Sequence, residues 1–248
     1  MKIFSARGSA PPVVVAARAY RNRTGVPVDV AVCSRGCERG QCGPAFGGGF
    51  VAEVGAGKYD AAVAGAEADW DDLESSGLAR GGPRWSLGMR ESVLLVPSDN
   101  PAGIRSIDDL TRPGVKVAVS TVDCLRGVWE DVCGRAGCVP EVRANISLRV
   151  AGCMAIVRAI VEGTVDAAFG WSTFTGFHRR IAAVRLPESS RIYRSTCAGL
   201  VKGTADEEEA ERFLDFLVWG LGREIFAEHG WLTHVGTEGP VVGAVSSA

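Results

Sequence analysis

Histidine, tyrosine and methionine each occur only three times in 248 residues. The histidines are His178, His229 and His234, and none lies beside a cysteine or serine that could serve as a nucleophile. Covalent catalysis needs such a nucleophile with a base next to it, so an enzyme is not expected. No GxxxxGK[ST] loop is present, and Gly47-Gly48-Gly49 lacks the preceding strand that a dinucleotide fingerprint requires. No apolar stretch approaches the roughly 18 to 20 residues that cross a bilayer. Charge of a single sign is equally scarce: 27 basic residues face 29 acidic ones for a net charge of −2. The one like-charge run is Asp206 to Glu209, so no nucleic-acid footprint is expected. Internal repeats and low-complexity tracts are also missing. The first residues pass straight into a strand pattern with no export signal. That predicts a cytoplasmic protein, or a periplasmic or extracellular one whose signal has been removed.

Cysteine, by contrast, is plentiful. Eight are present, at positions 33, 37, 42, 124, 133, 138, 153 and 197. In an oxidising compartment they read as disulfide staples, and in a reducing one as metal or redox chemistry. With 46% hydrophobic and 23% charged residues, the rest of the chain has the composition of an ordinary globular protein.

The repeating pattern is a short β-branched run, a loop of small residues and an amphipathic stretch, which is βα grammar. Lys2 to Ser5 predicts a strand, Pro11 to Arg23 a helix closed by Gly25, and Val26 to Val32 a second strand. Cys33 to Gly49 is too rich in glycine for a regular element and is expected to be a long loop. Further strands are predicted at Tyr59–Ala64, Arg90–Val96, Val115–Val119 and Val165–Phe169. Helices are predicted at Trp70–Ser76, briefly after Ser106 with its capping-box Asp109, from Ser120 to about Arg135, and at Cys153–Val161. A single long C-terminal helix is expected from Asp206 onward, with Phe213, Leu214, Leu217, Val218 and Leu221 on one face.

The order of features resembles the substrate-binding proteins of molybdate and tungstate transporters. The most specific block runs from Leu95-Val96-Pro97-Ser98-Asp99-Asn100-Pro101 through Ser106-Ile107-Asp108-Asp109-Leu110 to Pro113-Gly114-Val115. Ala19-Tyr20 with Thr24-Gly25-Val26, Val161-Glu162-Gly163-Thr164-Val165-Asp166, and the later Leu214-Asp215-Phe216-Leu217 and Gly230-Trp231 support it. The resemblance implies an α/β, two-lobed type II periplasmic-binding-protein fold, each lobe a mostly parallel sheet flanked by helices. One lobe would combine residues 1–93 with 190–248, and the other would hold 94–189. The protein would act as a monomer, close by hinge motion on a molybdate- or tungstate-class oxyanion, require no cofactor, and deliver its ligand to the membrane permease of an ABC transporter.

An enclosed oxyanion needs donors in place of water, and helix N-termini supply them. Four helix-opening loops are therefore candidates. Ser5, Ala6, Arg7, Gly8 and Ser9 form the first, where Ser9 is equally well a plain N-cap and Arg7 a surface side chain. Cys33 and Ser34 belong to the second, Ser34 lying where the resembled family carries a ligand-binding serine. Thr121 and Cys124 open the third loop, and Gly152 and Cys153 the fourth. Trp171, with Ser172 beside it, falls where many members of that family have a tyrosine, though an indole in a strand also reads as core. Cys33, Cys37, Cys42, Cys124 and Cys153 would then surround the cleft, either as buried packing and staples or as a pocket for a soft metal, thiometalate or metal cluster. Cys133, Cys138 and Cys197 fit the staple reading. An enzyme or a cytosolic sensor on the same fold stand as alternatives, the sensor without its usual helix-turn-helix.

Overall fold

The computed structural model describes residues 1–33 and 36–233, so Ser34 and His234 lie outside the described residues. The first part of the chain forms β1 (Lys2–Ser5), α1 (Ala10–Thr24), β2 (Asp29–Val32), α2 (Gly36–Arg39), α3 (Phe50–Ala56), β3 (Ala61–Val63) and α4 (Glu67–Ser75). The 13-residue β4 (Trp85–Pro97) leads into β5 (Val117–Ser120), α5 (Val128–Ala136), α6 (Val139–Asn145), β6 (Ile146–Val150), α7 (Cys153–Val161), β7 (Ala167–Trp171) and β8 (Ile181–Arg185). The chain returns through β9 (Tyr193–Leu200) to α8 (Glu207–Val218) and α9 (Gly220–Glu228).

The strands join in the order β2-β1-β3-β9-β4-β7-β5-β6, with β8 also on β4. Pairing is parallel at both ends of this order, β1 with β2 and β3, and β5 with β6 and β7. Around β4 and β9 it is antiparallel. Trp85 to Glu91 of β4 pair with β9, whereas Ser92 to Pro97 pair with β7 and β8, so this one strand threads both halves of the molecule. Register then decides where the loops open. Ser5 is opposite Val32 and Val63, and Ser120 is opposite Val150, so the loops after β1, β2, β3, β5 and β6 all leave C-terminal strand ends. Those ends are where open α/β sheets bind ligands.

Local sequence explains most boundaries. Pro11 and Pro12 occupy the first turn of α1, where a missing N–H costs nothing, and Gly25 closes it at φ 79° with its N–H on the Arg21 carbonyl. Asp206 caps α8 by accepting from the Glu209 N–H.

Three expectations are corrected. The C-terminal helix is two helices, because Trp219 is extended (φ −117°, ψ 155°) and α9 begins at the following glycine. The loop from Cys33 to Gly49 contains the helical turn α2 and a 3-10 turn at Pro44–Phe46. The helix expected from Ser120 to Arg135 starts only at Val128: Asp123 (φ 54°) and Gly127 (φ 76°) take left-handed backbone, and only a 3-10 turn at Asp123–Leu125 lies before it.

Candidate ligand-binding cavity

Five loops meet over a cavity of about 20 Å³, the room of about one water molecule. From the first half of the chain it is lined by Ala6, Arg7 and Gly8, by Cys33 and Cys37, and by Phe50, Gly65 and Asp69. Asp123, Cys124 and Cys153 complete it from the other half. Gly65 permits this approach, since a Cβ there would lie 2.9 Å from Asp69 Oδ2 and 3.3 Å from Cys124 Cβ.

Of the predicted site residues, Ala6, Arg7, Gly8, Cys33, Cys37, Cys124 and Cys153 thus line one cavity. Arg7 is ion-paired with Glu38 and is not a free cation. Ser5 and Ser9 are buried, with their hydroxyls on the carbonyls of Ala6 (3.1 Å) and Ala64 (3.4 Å); Ser9 makes no cap hydrogen bond to α1. Thr121 reaches the Val150 carbonyl (3.2 Å) and so ties the loop after β5 to β6. Gly152 packs directly on the backbone of Cys37. Ser172 lines a different cavity of about 350 Å³, with Thr173, His229 and Trp231.

Thiols dominate the cavity. Cys37 Sγ lies 3.6 Å from Cys153 Sγ and accepts the Met154 N–H at 3.5 Å. It occupies the N-terminus of α7, the position at which donors for an oxyanion were expected. Hydrogen bonds from the Cys153 and Cys42 thiols, joined by the Met154 and Cys153 N–H groups, hold Cys37 well below the usual thiol range in spite of its burial. Cys42 and Cys153 are pushed up as the partners that keep their protons. Cys153 also hydrogen-bonds Cys124, which with the Arg90 charge and the Trp171 indole lowers Cys124 to about 6. That indole, fully buried and not among the residues lining the cavity, donates to Cys124 Sγ at 3.3 Å, which fits the core reading of Trp171. Cys33 donates to Glu53 (3.4 Å). The five cleft cysteines therefore form one continuous set. No two of the eight cysteines are joined as a disulfide in this structure, Cys133 and Cys138 included.

Two carboxyls face these thiols. Asp123 is raised to about 7, first by burial and then by the charges of Cys124 and Cys37. Burial, and after it charge at Cys124 and Asp123, pushes Asp69 well above the usual carboxylate range. A carboxyl that keeps its proton in the native state but loses it near pH 4 when unfolded makes stability fall as pH rises above that point. Asp69→Asn is thus expected to be more stable than wild type at pH 8, with the gap shrinking at pH 4. Urea midpoints at both pH values test this, and an equal gap at the two would refute it.

The residue that sequence reasoning missed is Arg90. It is wholly buried in β4, donates from Nη2 to the Gly65 carbonyl, and lies over Trp171 and Trp231 at 5.1 and 5.8 Å from the ring centroids. Nε and Nη1 have no hydrogen-bond partner among the described residues. A Cβ on Gly8 would lie 3.5 Å from Nη1, so the unused donors stand directly behind the cavity wall. Buried polar groups without partners are rare and expensive; here the Cys124 thiol, which Arg90 lowers, meets part of the guanidinium's charge.

Residues 1–232 match the model of a family described as bacterial extracellular solute-binding proteins. The molybdate-binding protein ModA of Mycobacterium tuberculosis (strain H37Rv) is 26% identical over 169 residues, covering 66% of this chain and 62% of its own length. The match therefore spans less than two thirds of that relative. In fold, PEB3 of Campylobacter jejuni with L-phospholactate bound superposes with a TM-score of 0.78 at 21% identity, over 94% of this chain and 100% of that one. The periplasmic molybdate-binding protein of Azotobacter vinelandii gives 0.72 at 17% identity, over 93% and 98%.

Proposed function

The chain belongs to the family of bacterial extracellular solute-binding proteins, and from that premise we propose that it captures a small inorganic oxyanion of the molybdate or tungstate class between its lobes. Members of this family bind solutes and are not enzymes. We take residues 1–93 with 190–248 as one lobe and 94–189 as the other, hinged within β4 and in the segment between β8 and β9. The closed form would then be recognised by the permease of an ABC transporter.

The observation that carries the reading is Arg90, a buried cation with two unused donors behind a cavity closed by loops from both halves. The cavity admits about one water, less than a tetrahedral oxyanion needs, so the anion must enter an open form whose loops then close around it on a wider cavity. Gly8, without a side chain, leaves Arg90 Nη1 in reach of the cavity, whereas the Ala6 N–H is held by the Val63 carbonyl at 2.8 Å. Calorimetric titration with molybdate, tungstate, sulfate, phosphate and L-phospholactate tests this. A single site for molybdate or tungstate is the expected result, and silence for all five would overturn it.

A second reading, a soft metal or thiometalate as the cargo, is favoured by one specific observation. The α7 N-terminus is already satisfied by Cys37 Sγ, and soft ligands rather than hydroxyls surround it.

A further inference from the structure

We propose that Cys37, Cys42 and Asp123, joined on binding by Cys153 as fourth ligand, hold one soft divalent cation of the zinc or cadmium class, which clasps the two halves of the chain together. The inference rests on the thiol reading of the cavity and is independent of the oxyanion reading. Ligand atoms of Cys37, Cys42 and Asp123 all lie within 4.8 Å of one another; Cys153 Sγ, 3.6 Å from Cys37 Sγ, lies outside that group and has to move in on binding. Two sulfurs each about 2.3 Å from one ion at the tetrahedral angle would be about 3.8 Å apart, close to that separation.

Packing alone does not explain the group. A thiol is content in an apolar core, whereas the half-buried Asp123 carboxyl is a hard, polar neighbour for it, and a shared cation would satisfy both. Asp123 holds left-handed backbone at φ 54°, an uncommon conformation that turns it into this cluster. The four residues come in pairs, Cys37 and Cys42 from the loop after β2, Asp123 and Cys153 from the loops after β5 and β6. Those loops already dock by backbone, Cys42 N–H to the Ala151 carbonyl at 2.8 Å and Ala151 N–H to the Gly40 carbonyl at 3.2 Å. Each coordinating thiol binds as thiolate and releases its proton to solvent. Arg90 and the N–H groups of α7 offset the resulting negative charge.

The test is equilibrium dialysis of the reduced full chain against cadmium alone, with the cadmium–thiolate charge-transfer band as a second readout. One ion per chain is expected. Cys42→Ser and Cys153→Ser should each weaken binding at least 100-fold and reduce the band. Removing either pair, Cys37→Ser with Cys42→Ser or Asp123→Asn with Cys153→Ser, should abolish it, whereas Cys197→Ala leaves it unchanged. Binding that survives loss of either pair, or no binding by fully reduced protein, overturns the site. Should a double variant fail to fold by circular dichroism, the single variants Cys42→Ser and Asp123→Asn decide. Oxyanion titration of the same samples separates the two readings: silence for oxyanions with one tightly held cadmium leaves this site standing, and oxyanion heats without cadmium binding overturn it.

Discussion

Arg90→Met is expected to lose oxyanion binding by roughly 100-fold or more while raising the melting temperature of the ligand-free protein. The loss follows from two charge-assisted donors, each worth about 1.5 to 3 kcal/mol, and about 1.4 kcal/mol corresponds to tenfold. The gain in stability has a separate origin. Nε and Nη1 are desolvated without partners, and an unmet buried donor costs about 1 to 3 kcal/mol. Methionine fills similar volume between Trp171 and Trp231 and removes that cost. It also removes the bond to the Gly65 carbonyl and two cation–π contacts of about 1 kcal/mol each, which offset part of the gain. A net gain of about 1 kcal/mol translates to about 2 to 4 °C for a domain of this size. Calorimetric titration and thermal unfolding of the same sample check both halves. A variant that melts lower and still binds would show Arg90 to be a structural strut. Arg90→Lys should recover little affinity, since an ammonium cannot present the same planar set of donors.

The fold was largely legible because its strongest signals are local. β1 and α7 have the bounds that periodicity predicts, and the glycine after α1 closes it as expected. β9 escaped because Arg194, Ser195 and Cys197 interrupt any apolar run; its burial comes from pairing with β3 and β4, which are distant in sequence. β6 escaped for a related reason, being only half-buried along its length. The gathering of five cysteines was visible from their places beside helix-opening loops. Arg90 was hidden by a boundary. A strand beginning at Arg90 places that residue at a solvated end, but β4 begins at Trp85, so the arginine lies inside a paired and covered strand. Asp123 did not stand out, because its left-handed backbone opens a 3-10 turn, Asp123–Leu125, that no periodicity announces.

Gly152→Ala is expected to separate the two loops that close the cavity while leaving the rest of the protein folded. Gly152 has φ 146°, a region that L side chains rarely adopt, and an added Cβ would lie 2.4 Å from the Cys37 carbonyl oxygen and 3.0 Å from Cys37 Cα. Backbone atoms cannot swing aside as a flexible side chain does, so one loop must move. Backbone strain of about 1 to 3 kcal/mol adds to the loss of two loop-to-loop hydrogen bonds at about 0.5 to 1.5 kcal/mol each. The strain and the clash have to be told apart. Gly163 supplies the control, since it too is left-handed (φ 68°) but an added Cβ there meets nothing within 4 Å. Gly163→Ala should therefore cost stability alone. Gly152→Ala should in addition speed alkylation of Cys37 and Cys153, which are 1% and 4% exposed in the closed arrangement. It should weaken any ligand held between the halves, because each loop contributes to the same wall. Alkylation followed by peptide mass spectrometry reads the two thiols separately, and the same rate in both glycine variants would refute the contact between Gly152 and Cys37 as the latch of the cavity.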